Sequence, residues 1–247
     1  MSNRSIHTLL KNWDEECPLT REEAVEVLNL PEEEMDSLME CAYALRTKYK
    51  GKKVSVQLLT NVRSGNCTQN CAYCAQSKDS QAEIEKYKRV SDEKLYGDND
   101  LVDEKHLARH CIGLSGIGFS DEEIEDLADR IREMKKKDTQ ICCSIGFLTE
   151  KQARILKDAG LDRINHNLNS SRSFYPEICT THTYDQRVNN IKMLQSLGFE
   201  ICSGGIVGMG ESKEDIVDML MDLREINPES VPINFLLPIP GTKLADR

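Results

Sequence analysis

The chain has 247 residues, 39% hydrophobic and 30% charged, enough to bury a core without disulfide staples. Its formal net charge of −10 has the wrong sign for nonspecific nucleic-acid binding or for anchoring to an anionic membrane surface. No apolar run approaches the roughly 18 residues that a membrane span requires.

Met1 to Glu16 mixes charges with Leu9, Leu10 and Trp13 and has no signal-peptide core, so a reducing cytoplasm is the expected compartment. Thr20 with Glu23 reads as a capping box, and Pro31 as the first position of a second helix. Met35, Leu38, Met39, Ala42 and Leu45 form one apolar stripe on that helix, which is expected to pack. Residues 1–50 are read as an N-terminal helical segment ahead of a core spanning 51–247. A strand is expected over 54–61, followed by a long irregular stretch over 62–100, a length that is usually functional or disordered. Between Leu101 and Cys111 there is room for barely two helical turns, short for a crossover between parallel strands. Either strand two is fed by a compact crossover or the fold is damaged there.

From Ser120 onward helices and strands alternate. Ser120/Glu123, Thr149/Gln152 and Thr183/Gln186 are capping boxes, Ser212 is a further cap, and Gly160 and Gly198 stand where helices end. Strands are expected over 110–115, 140–145, 162–168, 200–207 and 231–237, which with the first makes six. Such alternation predicts an α/β fold with a parallel sheet, either doubly wound or closed as a β/α barrel. Barrel active sites lie at the C-terminal ends of the strands, where the loop after the first strand falls.

That loop carries Cys67-x3-Cys71-x2-Cys74, and ten cysteines in a reducing compartment point to metal rather than disulfides. A structural zinc site wants a closed tetrahedron, usually from two separated pairs, and no second close pair follows. A cubane iron–sulfur cluster, in contrast, can be held by three cysteines with its fourth iron free for substrate. Asn165, Asn167 and Asn169 alternate along one predicted strand and so can face one side. Cys111, Cys142 and Cys202 lie on three different predicted strands, where inward-pointing side chains alternate. Cys143 should face away from Cys142, as packing; Cys17, Cys41 and Cys179 are read as structural too. Gly204, Gly205, Gly208 and Gly210 suit either close approach of backbone to a ligand or strand packing. His110, His166 and His182 lack metal-ligand spacing and read as surface or satisfied core residues; His7 and His106 remain unassigned.

The cysteine spacing, with Tyr73 just before Cys74, resembles the radical S-adenosylmethionine superfamily. Tyr73-Cys-Ala-Gln-Ser77, Asn165-His-Asn-Leu-Asn169, Phe174-Tyr-Pro-Glu-Ile-Cys-Thr-Thr-His-Thr-Tyr184, Cys202-Ser-Gly-Gly-Ile-Val-Gly208, Val231-Pro-Ile-Asn-Phe235 and Pro240-Gly-Thr242 narrow it to the biotin synthase family. The resemblance implies a TIM-like β/α barrel that inserts sulfur into dethiobiotin, by hydrogen abstraction with a 5′-deoxyadenosyl radical. It implies a [4Fe–4S] cluster on Cys67, Cys71 and Cys74, S-adenosylmethionine as cofactor, and an auxiliary cluster ([2Fe–2S] in the family) on Cys111, Cys142 and Cys202. Tyr73 and Ile206 would lie near the adenine, although Tyr73 reads almost as well as a shield for the cluster. Asn169 would bind the ribose, Asn167 both cofactor and substrate, and Asn165 and Asn234 the substrate. A flavodoxin or ferredoxin would donate the electron, and relatives are often homodimers, an interface the N-terminal stripe could serve if it does not cap the barrel. A family member continues past the equivalent of Arg247 through two further strands, one supplying an arginine as fourth auxiliary ligand, so an incomplete barrel is expected here. The rival readings are a radical enzyme of the hydrogenase-maturation or pyrrolysine-synthesis type, and a noncatalytic iron–sulfur or zinc protein.

Overall fold

The computed structural model describes residues 19–247. The readings of Met1 to Glu16 and of Cys17 therefore fall outside the described residues. Thr20 and Glu23 close their capping box on α1 (Arg21–Leu28). Pro31 stands one position earlier than expected: it caps a 3-10 turn, Glu32–Glu34, that leads into α2 (Met35–Lys50). The stripe on α2 does not pack as expected, for no residue of that helix is buried and Met39 is 66% exposed. An apolar period marks a face, but names no partner for it.

β1 (Gln57–Arg63), β2 (Arg109–Leu114), β3 (Ile141–Ser144), β4 (Arg163–Asn165) and β5 (Glu200–Cys202) form one parallel sheet in chain order. β6 (Gly205–Val207) pairs in parallel with β7 (Ile233–Phe235). Single parallel bridges, Asn169 to Gly205 and Cys202 to Ser230, stitch this pair to the larger sheet. The expected strand over 200–207 is thus split at Ser203 and Gly204. A Cβ on Gly204 would stand 1.8 Å from the Pro232 carbonyl oxygen, and one on Gly205 2.1 Å from the Met219 sulfur, so strand packing accounts for both glycines. Among the described residues no ladder joins β7 to β1, and Leu59 and Phe235 lie exposed at the two edges.

The crossover from β1 to β2 is neither compact nor damaged, which corrects both expectations. A full helix, α3 (Asp92–Glu104), occupies it, with Ser91 accepting from the Lys94 amide as its cap. Half of its buried face is polar, which hid it: beside Leu95 and Val102, Asp98 accepts from Thr60 Oγ1 (2.7 Å), while Asn99 donates to the Met134 carbonyl (3.1 Å). His110 lies between them, 2.8 Å from Thr60 Oγ1 and 3.2 Å from Asn99 Oδ1, a satisfied core histidine that burial pushes down to about 4. Cys111 therefore sits in a strand laddered on both sides.

α4 (Asp121–Met134), α5 (Glu150–Asp158), α6 (Tyr175–Ile178), α7 (Tyr184–Ser196) and α8 (Lys213–Ile226) follow. All expected capping boxes form, and Asp215 completes one with Ser212. Ile112, Cys143, Ile164 and Ile201 join Ile124, Ile131, Leu156 and Leu194 of the helices in the core. The alternate strand residues face the other way, and parallel partners in register share a face. Leu59, Cys111, Cys142, Arg163 and Glu200 form one layer there; Asn61, Gly113, Ser144, Asn165 and Cys202 form the next.

Candidate active site

The chain leaves β1 through Gly65 and Asn66, both left-handed (φ 72° and 54°), and so turns into the cysteine loop. Other segments then hold the loop in place. The Ala72 amide donates to the Ile178 carbonyl (2.8 Å), Lys78 N to Gln69 O (2.9 Å), and Ser115 Oγ to Gly65 O (2.6 Å). Asn70 accepts from the Thr180 amide and Thr181 hydroxyl, at 3.0 and 3.1 Å. These ties bring Cys67, Cys71 and Cys74 to one cavity of about 210 Å3, which Tyr73, Asn165, Asn167 and Asn169 also line. β4 ends at Asn165, and Asn169 is left-handed (φ 72°), yet all three asparagines reach the cavity. Asn167 Oδ1 accepts from the Gly204 amide (3.1 Å), which orients it.

Several residues here exceed what the sequence suggested. Arg187, on α7, lines the cavity and is held by three bonds: Nε donates to the Tyr175 hydroxyl, Nη1 to Asn167 O (3.0 Å), and Nη2 to His182 Nε2 (2.8 Å). Among the described residues no carboxylate pairs with it, so its charge is available to a ligand. His182 is a satisfied core histidine, as expected, but one that lines the cavity, with Nδ1 also 2.9 Å from Gln69 Oε1. His166 is buried, stacks 5.2 Å from the Phe147 ring, and finds no partner for either ring nitrogen. Burial pushes it down to about 3, so it is neutral at the cavity wall. Cys179 is likewise more than packing. Its sulfur accepts from Cys71 Sγ at 3.8 Å, and the bond holds Cys179 down to about 3 while raising Cys71. Burial raises Cys74 and Tyr73.

On the sheet itself, Cys111 and Cys142 are register partners on β2 and β3, and Cys202 lies in the adjoining layer, where Asn165 Nδ2 donates to its sulfur (3.3 Å). Cys143 turns into the apolar core, as expected. A hydrogen bond from Cys142 brings Cys111 down to about 7, helped by Arg109 and Arg163. Both guanidiniums meet Glu200, Arg163 at 2.7 Å and Arg109 at 3.1 Å, leaving one surplus positive charge beside the thiols. Arg109 Nη1 is buried without a partner. A charge two residues before Asn165 on the same strand was the available sequence signal for Arg163. Ile206 and Asn234 pair in register on β6 and β7, away from the lining of the cavity.

Both donor sets suit iron–sulfur clusters. Three thiols turned into one cavity leave a fourth coordination position open, and the strand trio pairs thiols with surplus positive charge.

The Radical SAM superfamily profile matches residues 61–223. The chain is 42% identical over 228 residues to biotin synthase of Geobacillus kaustophilus (strain HTA426), covering 92% of this chain and 68% of that protein. It is 40% identical over 227 residues to biotin synthase of Bacillus subtilis (strain 168), again covering 92% and 68%. Methylornithine synthase superposes with a TM-score of 0.84 at 17% identity, over 97% of this chain and 69% of that one. The FeFe-hydrogenase maturase HydG from Carboxydothermus hydrogenoformans superposes at 0.79 and 19% identity, over 96% and 57%. Those two likenesses show the fold, an α/β arrangement of radical SAM type. The identities to biotin synthases reach further, and with the matched profile they place this chain in the radical SAM superfamily and, within it, in the biotin synthase family.

Proposed function

We propose that this chain inserts sulfur into dethiobiotin to form the thiophane ring of biotin. The observation that carries the reading is the meeting of Cys67, Cys71, Cys74, three asparagines and an uncompensated arginine in one cavity, beside a second cysteine trio. Cys67, Cys71 and Cys74 would hold a [4Fe–4S] cluster, and Cys111, Cys142 and Cys202 an auxiliary one. When bound, the first cluster supplies the electron that cleaves S-adenosylmethionine to methionine and a 5′-deoxyadenosyl radical. Arg187 would meet the methionyl carboxylate of the bound cofactor, since no other carboxylate pairs with its charge. Asn169 serves the ribose hydroxyls, Tyr73 and Ile206 the adenine, and Asn167 both ligands. Asn165 and Asn234 are assigned to dethiobiotin, whose ureido ring needs donors and acceptors together. The hydrogen bond from Cys142, and after it Arg109 and Arg163, favour the ionised form of Cys111.

We read the core as residues 51–247, which carry all of these residues, preceded by a helical segment described over 19–50. No helix among the described residues is long and apolar enough to cross a membrane, and we infer a reducing cytoplasm as the working compartment, with a flavodoxin or ferredoxin as electron donor. The test is anaerobic reconstitution, reduction, and measurement of 5′-deoxyadenosine with and without dethiobiotin. Stimulation by dethiobiotin is the expected result. Formation indifferent to it would point to another substrate, and none from a loaded cluster would sink the reading.

A further inference from the structure

Cys67 belongs to two walls at once. Its inner side lines the cavity shared with Cys71 and Cys74; its outer side lines a second cavity of about 180 Å3 that opens on the surface of the loop. Gln76 also lines both, and its Oε1 accepts from the Gly65 amide (2.8 Å), so the partition is a single layer of loop. At Cys67 the cysteine site is thus bordered from outside the substrate cavity.

The outer crevice is basic on an acidic body. Lys78 and Lys86 line it and no carboxylate does, in a chain of net charge −10. Both lysines are exposed, and among the described residues neither forms an ion pair. Asp79, the acid next to Lys78, is already held by Lys243 at 3.0 Å. The stem of Lys86 lies close over Gly65, where a Cβ would meet its Cγ at 2.6 Å, which fixes its base at the rim. The crevice walls are tied as well: Ser64 and Tyr87 exchange backbone bonds, and Gln81 N donates to Gly241 O (2.7 Å). A preformed basic spot on a negative surface steers an acidic protein to one place and repels it elsewhere.

We propose that this crevice is where the reductant docks: a small acidic protein carrying a low-potential one-electron group, its carboxylates meeting Lys78 and Lys86. The inference rests on the cluster reading above. One electron passes from the reduced carrier through the Cys67 side to the cluster; the carrier is oxidised by one electron, the cluster is reduced by one, and no bond is made or broken.

The test uses the reconstituted holoenzyme and follows bleaching of the cluster's visible absorbance by reduced flavodoxin, with dithionite as a small reductant that needs no docking face. Doubly reversing the charge, Lys78→Glu with Lys86→Glu, should slow flavodoxin-driven bleaching about tenfold or more at low ionic strength and flatten its salt dependence. Dithionite-driven bleaching and iron content should stay as in the parent, and Lys192→Glu on α7 should change nothing. Unchanged flavodoxin rates in the double variant, or equal slowing by Lys192→Glu, would overturn the docking face while leaving the cluster in place. If dithionite fails to bleach the parent protein, the cluster reading falls and this inference with it.

Discussion

Cys67, Cys71 and Cys74 ride on irregular backbone whose shape is set by bonds from residues 115 and 178–181, whereas Cys111, Cys142 and Cys202 ride on neighbouring strands, where the ladder sets their spacing. Their electrostatics differ too. The loop thiols share their cavity with Arg187, and burial raises Cys74; the strand thiols lie beside two arginines that share Glu200, and Cys111 is brought down to about 7. A loop can wrap a cluster and still present one side of it to a ligand. A ladder holds its donors rigidly but gives little freedom to open a position. The difference suits a cluster that binds a cofactor on one hand and a sulfur source fixed by the sheet on the other.

The comparison breaks most visibly by removing one thiol from each trio. Cys74→Ala should reduce 5′-deoxyadenosine formation to background, because only the loop site presents an open position. Cys142→Ala should retain cofactor cleavage while biotin formation disappears. Quantifying both products and the iron content of each variant checks this; loss of cleavage in Cys142→Ala would show that the two centres are not separable. Arg187→Ala is next. Truncating one partner of a buried charge contact costs about 2–5 kcal/mol, so the KM for S-adenosylmethionine should rise steeply. Arg187→Lys should recover only part of it, because an ammonium lacks the fork.

Glu200→Gln sharpens the electrostatic half of the comparison. It leaves Arg109 and Arg163 uncompensated in a partly buried layer, at about 1–3 kcal/mol, read as a lower melting temperature. In the cluster-free protein Cys111 should then be alkylated at lower pH than in the parent. An unchanged alkylation profile would mean that the arginines do not act on that thiol.

How much of this was legible in the sequence follows from what each feature depends on. Capping boxes are local, and every one expected at α4, α5 and α7 formed. Strands with apolar alternation were placed within a few residues. α3 was missed because Asp98 and Asn99 bury polar side chains on partners 38 and 35 residues away, so the apolar period of its inner face is broken between Leu95 and Val102. Nothing local singles out Glu200 or Arg187, whose partners meet only in the fold. Cys179 meets Cys71 across 108 residues of chain, a contact that no local pattern encodes. The loop trio was plain because its three ligands lie within eight residues of one another.

The smallest expected effect concerns what steadies the segment just after Asn169. Asp215, at the start of α8, accepts from Ser171 Oγ (2.6 Å) and Ser173 Oγ (2.7 Å) while also capping its own helix through Ser212. Burial raises its pKa, but the hydroxyl bonds from Ser171, Ser173 and Ser212 outweigh that and hold the carboxyl well below the usual range. The folded state thus takes up its proton at lower pH than the unfolded chain, whose aspartate titrates near ~3.9. The stability this contributes is complete above that value and is lost as pH falls below it toward the folded one. Asp215→Asn should cost about 1–2 kcal/mol at neutral pH, through the weakened cap and the lost serine bonds. Since the parent loses the same contribution in acid, the two proteins should converge in denaturant midpoint as the pH is lowered past the aspartate range. An equal gap at both pH values would mean that the serines bind the neutral acid as well as the carboxylate, and that the anchor of the Asn169 segment is steric rather than electrostatic.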